Sequence, residues 1–385
     1  MTTAPDLLYG EVEEELRASV RSLLTDRCPP TSVLARCEGP QPQDPDLWRT
    51  LARELGVAGL QIPEALGGAG ASLRETAVVL EELGRAVAPV PYLGSAVLAT
   101  TALLGCDPAG QPVAGLLAAL ASGERTAALA VPLSAAPGSG FPQSVRADAG
   151  ALTGRVTSVA DTALADVLVV PATGPDGPRL WLVDAAGPGV ELRPRTSLDL
   201  TRPLADLVLT GAPGQPAAGP DRAAAALERA LLTGAGLLAS EQLGVAEHCL
   251  RSTVEYLLTR RQFGRQIGSF QAVKHRLADL WLEVAGARAA ARNAADVLAG
   301  LPSGGDAADV REAGIAVAVA QAHCADVAVH AAEECVQLHG GIGMTWEHEA
   351  HLYLKRAKVD QLALGTPGRH RAALADLADL PGPTG

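Results

Sequence analysis

Apolar residues recur every three or four positions over the first and last thirds of the chain, which predicts amphipathic helices there. Asp46 precedes one such pattern and Ser269 another, so both are predicted to be N-caps. The several long helices of the last third, joined by short turns, predict an antiparallel bundle. The predicted helices cover about 11–27, 46–55, 72–85, 221–259, 271–298, 310–338 and 368–377.

The middle third has a different pattern, in which short valine-rich runs are separated by glycine, proline and aspartate. Such runs are typical of strands, and they cover 127–133, 156–159, 167–170, 180–183 and 207–209. A run rich in proline, glycine and alanine over 211–219 predicts a linker. The chain is therefore expected to be mainly α with a central β-domain or barrel. The predicted domains are an N-terminal helical domain (1–123), a middle β-domain (124–218) and a C-terminal four-helix-bundle domain (219–385).

Composition narrows the class of protein. The chain has 385 residues and a net charge of −12, which argues against a nucleic-acid binder. Its six cysteines show no C-x-x-C pair and no metal-ligand spacing, so we expect free, mostly buried thiols in a reduced cytoplasmic protein without a metal site. The first residues lack the pattern of a secretory leader, and no charge-free apolar stretch of about 18 residues predicts a membrane span.

The segment 256–279 carries the most informative chemistry. It reads Y-L-L-T-R-R-Q-F-G-R-Q-I-G-S-F-Q-A-V-K-H-R-L-A-D, and two helices are predicted to meet there around Gly264 and Gly268. Its polar residues and its aromatic ring suit a flat, anionic ligand, because arginine binds pyrophosphate and phenylalanine stacks on aromatic rings. From residue types alone, a solvated basic corner is the alternative. The groups concerned are Arg260, Arg261, Gln262, Phe263, Arg265 and Gln266.

The order of these residues resembles the flavin-binding corner of the acyl-CoA dehydrogenase family. Further segments of the chain resemble that family in the expected order: L-G-V-A-G-L-Q-I-P-E-A-L-G-G-A-G (55–70), E-E-L-G-R-A-V-A-P-V-P (81–91), V-A-D-T-A-L-A-D-V-L-V-V-P-A (159–172) and H-L-Y-L-K-R-A-K-V-D-Q-L-A-L-G-T-P (351–367). The resemblance implies two helical domains around a β-domain. It also implies an acyl-CoA thioester substrate and an electron acceptor such as electron-transfer flavoprotein.

The resemblance further implies bound FAD. Arg260 is expected to hold its pyrophosphate, and the loop C-V-Q-L-H-G-G-I-G-M (335–344) is expected to pack on the adenine-diphosphate part of a FAD in a neighbouring subunit. Read alone, the glycines of that loop could merely end a helix. The flavin would lie between subunits, so a homo- or hetero-oligomer is implied. The expected FAD-binding residues are Arg260, Gln262, Phe263, Gln271, Gln337, Gly340, Gly341, Gly343 and Thr366.

The chain departs from the family at the positions where the catalytic base is expected. The family's base is a carboxylate directly before Gly-Thr, and Leu364 stands there; some members carry it on the preceding long helix, where Gly234 stands here. Glu241 and Glu247 are the weak remaining candidates, with Glu228 upstream, although pairing with arginine or exposure is the expected state of each. The family's T-E-P-x-A-G-S-D segment and aromatic-Thr element are also absent from 130–140 and 156–159.

Three hypotheses follow. In the first, the chain is one subunit of a hetero-oligomer whose partner supplies the base. In the second, it is a homo-oligomer with a relocated base such as Glu241. In the third, it is a flavin-fold protein without dehydrogenase activity, either a structural subunit or a binder of thioesters. Flavin content and the activity of the isolated chain would separate them. The identity of the acyl group is beyond the sequence, since acyl pockets are lined by ordinary aliphatic side chains.

Overall fold

A computed structural model describes residues 7–108, 110–302 and 305–380. Its N-terminal part is helical. The helices are α1 (Glu11–Arg27), α2 (Pro30–Glu38), α3 (Pro45–Arg49, continued by a π-helical turn Thr50–Glu54), α4 (Leu73–Arg85), α5 (Thr100–Leu104, preceded by a π-helix Tyr92–Ala99) and α6 (Val113–Ala121). The periodicity did not predict α2, α5 or α6. Most residues of α6 and of the continuous helix Tyr92–Leu104 are buried, so these two lack a regular polar face, whereas α2 has nine residues and buries only Val33.

The predicted N-cap Asp46 is wrong by two residues. Asp44 caps α3, and its Oδ1 accepts hydrogen bonds from the backbone N–H of Asp46 (3.1 Å) and Leu47 (3.0 Å). Pro45 takes the first helical position, where its missing N–H costs nothing. The helix predicted to begin at Ser72 is in place, and the hydroxyl of Ser72 accepts from Arg74 N.

The middle part is one eight-stranded mixed sheet. Its strands are β1 (Ala127–Leu129), β2 (Val145–Asp148), β3 (Ala151–Ala160), β4 (Val167–Gly174), β5 (Gly177–Asp184), β6 (Val190–Arg195), β7 (Leu204–Pro213) and β8 (Gln215–Ala218). The order is β6-β7-β3-β2-β4-β5-β8, with β1 parallel to β4. The predicted linker 211–219 is therefore wrong, because it forms the end of β7 and all of β8. Pro216 is tolerated because β8 is an edge strand.

The C-terminal part is a helical bundle, as the spacing predicts. It contains α7 (Ala223–Thr259), α8 (Gln271–Gly300), α9 (Ala307–His339), α10 (Ala350–Asp360) and α11 (Pro367–Leu377). Ser269 does not cap α8: its hydroxyl donates to Gln266 O (2.6 Å) inside a 3-10 turn, and the helix begins two residues later. Gly304, one of two glycines expected to separate α8 from α9, lies outside the described residues. The domain boundaries at 123/124 and 218/219 stay predictions.

Glycines let α4 and α7 cross at very short range. A Cβ on Gly84 would overlap the carbonyl oxygen of Glu241, and a Cβ on Gly244 would overlap that of Glu81. The backbones are thus in direct contact, which fixes the N-terminal helices against the bundle.

The six cysteines are unpaired thiols, all buried except the partly exposed Cys37, as expected. By length and composition, one stretch of the described residues could cross a membrane, Ala307–Met344, but 72% of its apolar window is buried within the protein. A core helix of a bundle has the same character.

Candidate functional site

The arginine corner (residues 260–271) is a tight hairpin between α7 and α8. Arg260 is the C-cap of α7, and Arg261–Gln262 pairs antiparallel with Arg265–Gln266. The two turn residues, Phe263 and Gly264, have φ of 52° and 76°. Positive φ at both positions is the geometry of a two-residue hairpin turn, so the expected loop is in fact a short β-hairpin.

The side chains of the corner face solvent. Among the described residues, the guanidinium groups of Arg260 and Arg261 have no hydrogen-bond or ion-pair partner, and Phe263 is 88% exposed. Arg265 lies over the ring of Phe270, 3.8 Å from its centroid. Gln271 approaches His275 at 3.4 Å and is otherwise exposed. Unpaired guanidinium groups beside an exposed ring fit the pyrophosphate and a ring of a dinucleotide.

The glycine loop (residues 337–343) begins in the last turn of α9, which ends at His339. Gly340 ends the helix with φ 64° and ψ −139°, a conformation that essentially only glycine adopts. A Cβ at Gly340 or Gly341 would meet nothing within 4 Å, whereas one at Gly343 would lie 2.6 Å from Val336 O. Gln337 is exposed on the same turn. The first two glycines therefore leave backbone open to a ligand, while the third is required by packing.

The corner and the loop lie at the same end of the bundle. Helices α7 and α9 both end there, and the ring of Tyr256 stacks on that of His339 with centroids 4.5 Å apart. Eight of the nine expected FAD-binding residues thus lie at this end of the bundle, all exposed except Gly343, and the same end carries four exposed apolar side chains. These are Leu258, Phe263, Ile342 and Met344.

The two positions where the family carries its base also come together. A Cβ added to Gly234 would overlap Cδ2 of Leu98 and lie 3.2 Å from Cδ1 of Leu364. Leu98 is 4% exposed and Leu364 is fully buried. We call these three residues the Leu364 cluster; it contains hydrocarbon where the resemblance places a carboxylate.

Thr366 lies beside this cluster and caps α11, where its Oγ1 accepts from Arg369 N at 3.3 Å. Arg260 follows Gly234 by 26 residues of one continuous helix. At a rise of about 1.5 Å per residue, roughly 39 Å separates the two ends of the predicted site. The expected cofactor residues of one chain therefore form two groups that are well separated along α7, with Thr366 in one and the arginine corner in the other.

Glu241 belongs to a buried charge cluster formed by Asp199, Arg202, Glu241, Arg356 and Asp360. Arg202 Nη2 donates to both oxygens of Glu241 (2.8 and 2.7 Å), and Arg356 Nη1 pairs with one of them. Burial alone would raise the pKa of Glu241, but the two arginines outweigh it and hold the pKa below its usual value. A carboxylate so held is a poor proton acceptor.

The other members of the charge cluster complete this arrangement. Arg356 Nε donates to Asp199 (2.6 Å) and Arg202 Nη1 to Asp360 (2.6 Å), while Asp360 Oδ2 has no partner among the described residues. Burial and the neighbouring carboxylate of Glu241 raise the pKa of Asp360 well above its usual value. The cluster thus places three carboxyl groups around two arginines, and all five residues are buried.

The other two candidate bases are also engaged. Glu247 accepts from Arg288 Nε (2.9 Å), as expected for a glutamate on a partly exposed helix face. Glu228 accepts from Gly138 N (2.7 Å), and burial raises its pKa. Neither contact joins the Leu364 cluster.

A cavity of about 900 Å³ lies between α5, the first half of α7 and the end of α8. Its lining includes Thr101, Leu104, Arg229, Leu232 and Thr233 but none of the Leu364 cluster. Thr233 is fully buried, and its hydroxyl has no partner within the part of the chain that the structure describes. The volume is in the range of small-molecule sites.

The fold has helical N- and C-terminal domains around a mixed sheet, with the arginine corner and the glycine loop at one end of the bundle. This is the class of flavoprotein that the sequence resemblance predicts, and comparison with known proteins confirms it. The models for the acyl-CoA dehydrogenase N-terminal and C-terminal domains match residues 10–108 and 224–378. The chain belongs to the acyl-CoA dehydrogenase family.

Several individual relatives cover nearly the whole chain. Acyl-CoA dehydrogenase IpdE2 of Mycobacterium tuberculosis is 38% identical over 357 residues, which are 93% of this chain and 94% of the relative. Acyl-CoA dehydrogenase FadE27 of the same organism is 35% identical over 98% of this chain and 100% of the relative. The ChsE4–ChsE5 complex from M. tuberculosis superposes with a TM-score of 0.84 at 32% identity, over 98% of this chain and all of that one.

Sequence reasoning missed Leu98 and the charge cluster. In the sequence Leu98 is indistinguishable from other core leucines, and only its contact with Gly234 in the structure shows that it fills the position of a base. The cluster joins residues 39 to 158 positions apart, so no local pattern could reveal it.

Proposed function

We propose that this chain is one subunit of an acyl-CoA dehydrogenase that binds FAD and acts on an acyl-CoA thioester, and that a related chain supplies the catalytic base. FAD would supply the acceptor for the β-hydrogen, which leaves as hydride, while a carboxylate takes the α-proton. The observation that carries this proposal is the apolar Leu364 cluster, which leaves this chain without a base at either family position.

The role we assign to this chain is to hold the adenine-diphosphate part of a FAD whose ring lies in the partner. Arg260 and its neighbours would bind the pyrophosphate, and Gln337 and the open backbone of Gly340 and Gly341 would approach the adenosine. The separation of about 39 Å from the Leu364 cluster supports a FAD shared between chains. Alternatively, one FAD could be held by the corner of one chain and the glycine loop of another. The corner and the loop of this chain lie at the same end of its bundle, which favours a single binding surface on one chain.

An oligomer is supported by the same surface. Four exposed apolar side chains lie around the corner and loop, and contact with a related chain would remove their apolar surface from water. The relative solved as the ChsE4–ChsE5 complex is itself a pair of different chains. An electron-transfer flavoprotein is the proposed electron acceptor and the cytoplasm the proposed location, in keeping with the unpaired thiols.

The homo-oligomeric alternative with Glu241 as base is disfavoured. Both oxygens of Glu241 are bound by arginine, and its pKa is lowered, so it lacks the free, basic carboxylate that proton abstraction requires. A purely structural role is the remaining alternative, and it predicts that changes at the corner leave flavin binding intact.

The test is Arg260→Ala in the complex with the related chain. Loss of a charged hydrogen bond costs about 1.5–3 kcal/mol, so FAD should bind roughly 10- to 100-fold more weakly by fluorescence titration. The matched control is Arg251→Ala, since Arg251 is an exposed arginine of the same helix that lies 3.9 Å from Glu255. Equal FAD affinity in the two variants would contradict the proposal.

A further inference from the structure

We propose that Leu98 and the segment 133–136 close the acyl site of this chain, so that it admits no thioester even where FAD is bound nearby. This inference rests on the proposed function for the identity of the site. It goes further, because a missing base alone would leave an open pocket that binds substrate without reacting.

The side chains leave no room beside the reaction position. Leu364 is fully buried, and Leu98 occupies the space over Gly234 so completely that a single added methyl group would overlap it. Interiors packed in this way have no space for a further chain of atoms unless side chains move. The substrate's α- and β-carbons would have to displace Leu98.

The backbone at this position is also occupied. Leu364 N–H donates to Leu133 O at 2.7 Å, and Leu364 C=O accepts from His370 Nε2 at 3.0 Å. A Cβ on Gly365 would lie 2.8 Å from Cβ of Ala136. The backbone N–H of Leu364 is therefore not left for a thioester carbonyl.

The conformation of Leu364 indicates that its surroundings impose this arrangement. Its φ is 52°, in the left-handed region that is strained for a residue with a side chain. Such strain persists only where neighbouring contacts over-determine the backbone. The backbone hydrogen bonds of Leu364 with Leu133 O and with His370 Nε2 supply that constraint.

The nearby cavity does not reopen the site. It is lined by Thr101 and Thr233, each close in sequence to a member of the Leu364 cluster, yet no member lines it. The 900 Å³ space thus ends before the reaction position, where Leu98 packs directly on Gly234.

The test is alkylation of the Leu364→Cys variant in the complex with the related chain. Two probes are used, iodoacetamide and bromoacetyl-CoA. In each case the thiolate attacks the CH₂ carbon, a C–S bond forms, the halide leaves and the thiol proton passes to buffer. The partly exposed native Cys37 is the internal reference, and peptide mass mapping reports each site.

Burial raises the pKa of Cys37 itself to about 11, so Cys37 is a slow reference thiol. We expect the introduced thiol, at a fully buried position, to react with both probes about tenfold more slowly than Cys37, or slower still. Adding Leu98→Ala to Leu364→Cys should raise the rate at the introduced thiol while leaving that at Cys37 unchanged. Labelling of the introduced thiol in the single variant as fast as Cys37, with either probe, would overturn the proposal. The assay needs neither bound flavin nor turnover, so it is decided separately from the proposed function.

Discussion

The buried charge cluster gives the sharpest stability prediction, through Arg356→Met. Arg356 is 2% exposed and donates to Asp199 Oδ2 (2.6 Å), Thr201 Oγ1 (2.5 Å) and Glu241. Methionine roughly fills the volume but leaves Asp199 buried without its cation. Breaking a buried pair from one side costs about 3–5 kcal/mol.

That loss is large against a total stability of about 5–15 kcal/mol. It should appear as a lower midpoint of urea unfolding with an unchanged slope, because the surface exposed on unfolding is the same. The matched control is Arg371→Met, whose arginine is 57% exposed in its pair with Asp326 (2.5 Å) and should cost at most about 1 kcal/mol. If Arg356→Met were no more destabilising than the control, the buried ion pairs of the cluster would not stabilise the fold as their geometry implies.

Two further perturbations test other contacts. Burial raises the pKa of Asp161 from 3.8 to about 6, so the native state holds that proton more tightly than the unfolded chain. The contribution of this proton to stability is present below about pH 4 and is lost as pH rises through about 6, and Asp161→Asn should not show this loss. The measurement is the free energy of unfolding in urea of the wild type minus that of the variant. A difference that does not change from about pH 4 to 7 would contradict the raised pKa. Gly244→Ala should destabilise the protein strongly, because the added Cβ would overlap Glu81 O. As a control, Gly115→Ala, at an exposed position of α6, should stabilise it by about 0.5–1 kcal/mol. Equal shifts of the thermal unfolding midpoint in the two variants would refute the close crossing of α4 and α7.

The sequence predicted the parts of the fold that local pattern controls. The long helices α7, α8 and α9 have continuous apolar faces, and the arginine corner is an unbroken run of residues with its own chemistry. Their positions in the structure agree with the prediction to within a few residues. The family resemblance added the glycine loop, whose role no periodicity could indicate.

What failed had no local signal. The helix Tyr92–Ala99 is buried on all sides and so shows no amphipathic period. Strand β8 contains proline and small residues, which favour a linker until an edge position makes proline acceptable. The Leu364 cluster joins three residues from distant parts of the chain, and its meaning depends on which atoms touch.

The most direct measurement of the central claim is the amount of FAD bound per chain, with and without the related partner. Absorbance of released flavin against protein concentration gives the ratio. We predict that the chain alone binds no FAD, because it holds only the adenine-diphosphate part and the flavin ring lies in the partner. We predict that the complex binds FAD, and that Arg260→Ala weakens this binding roughly 10- to 100-fold. FAD bound equally well by the isolated chain, or a complex that stays colourless with added FAD, would contradict a flavin shared between two chains.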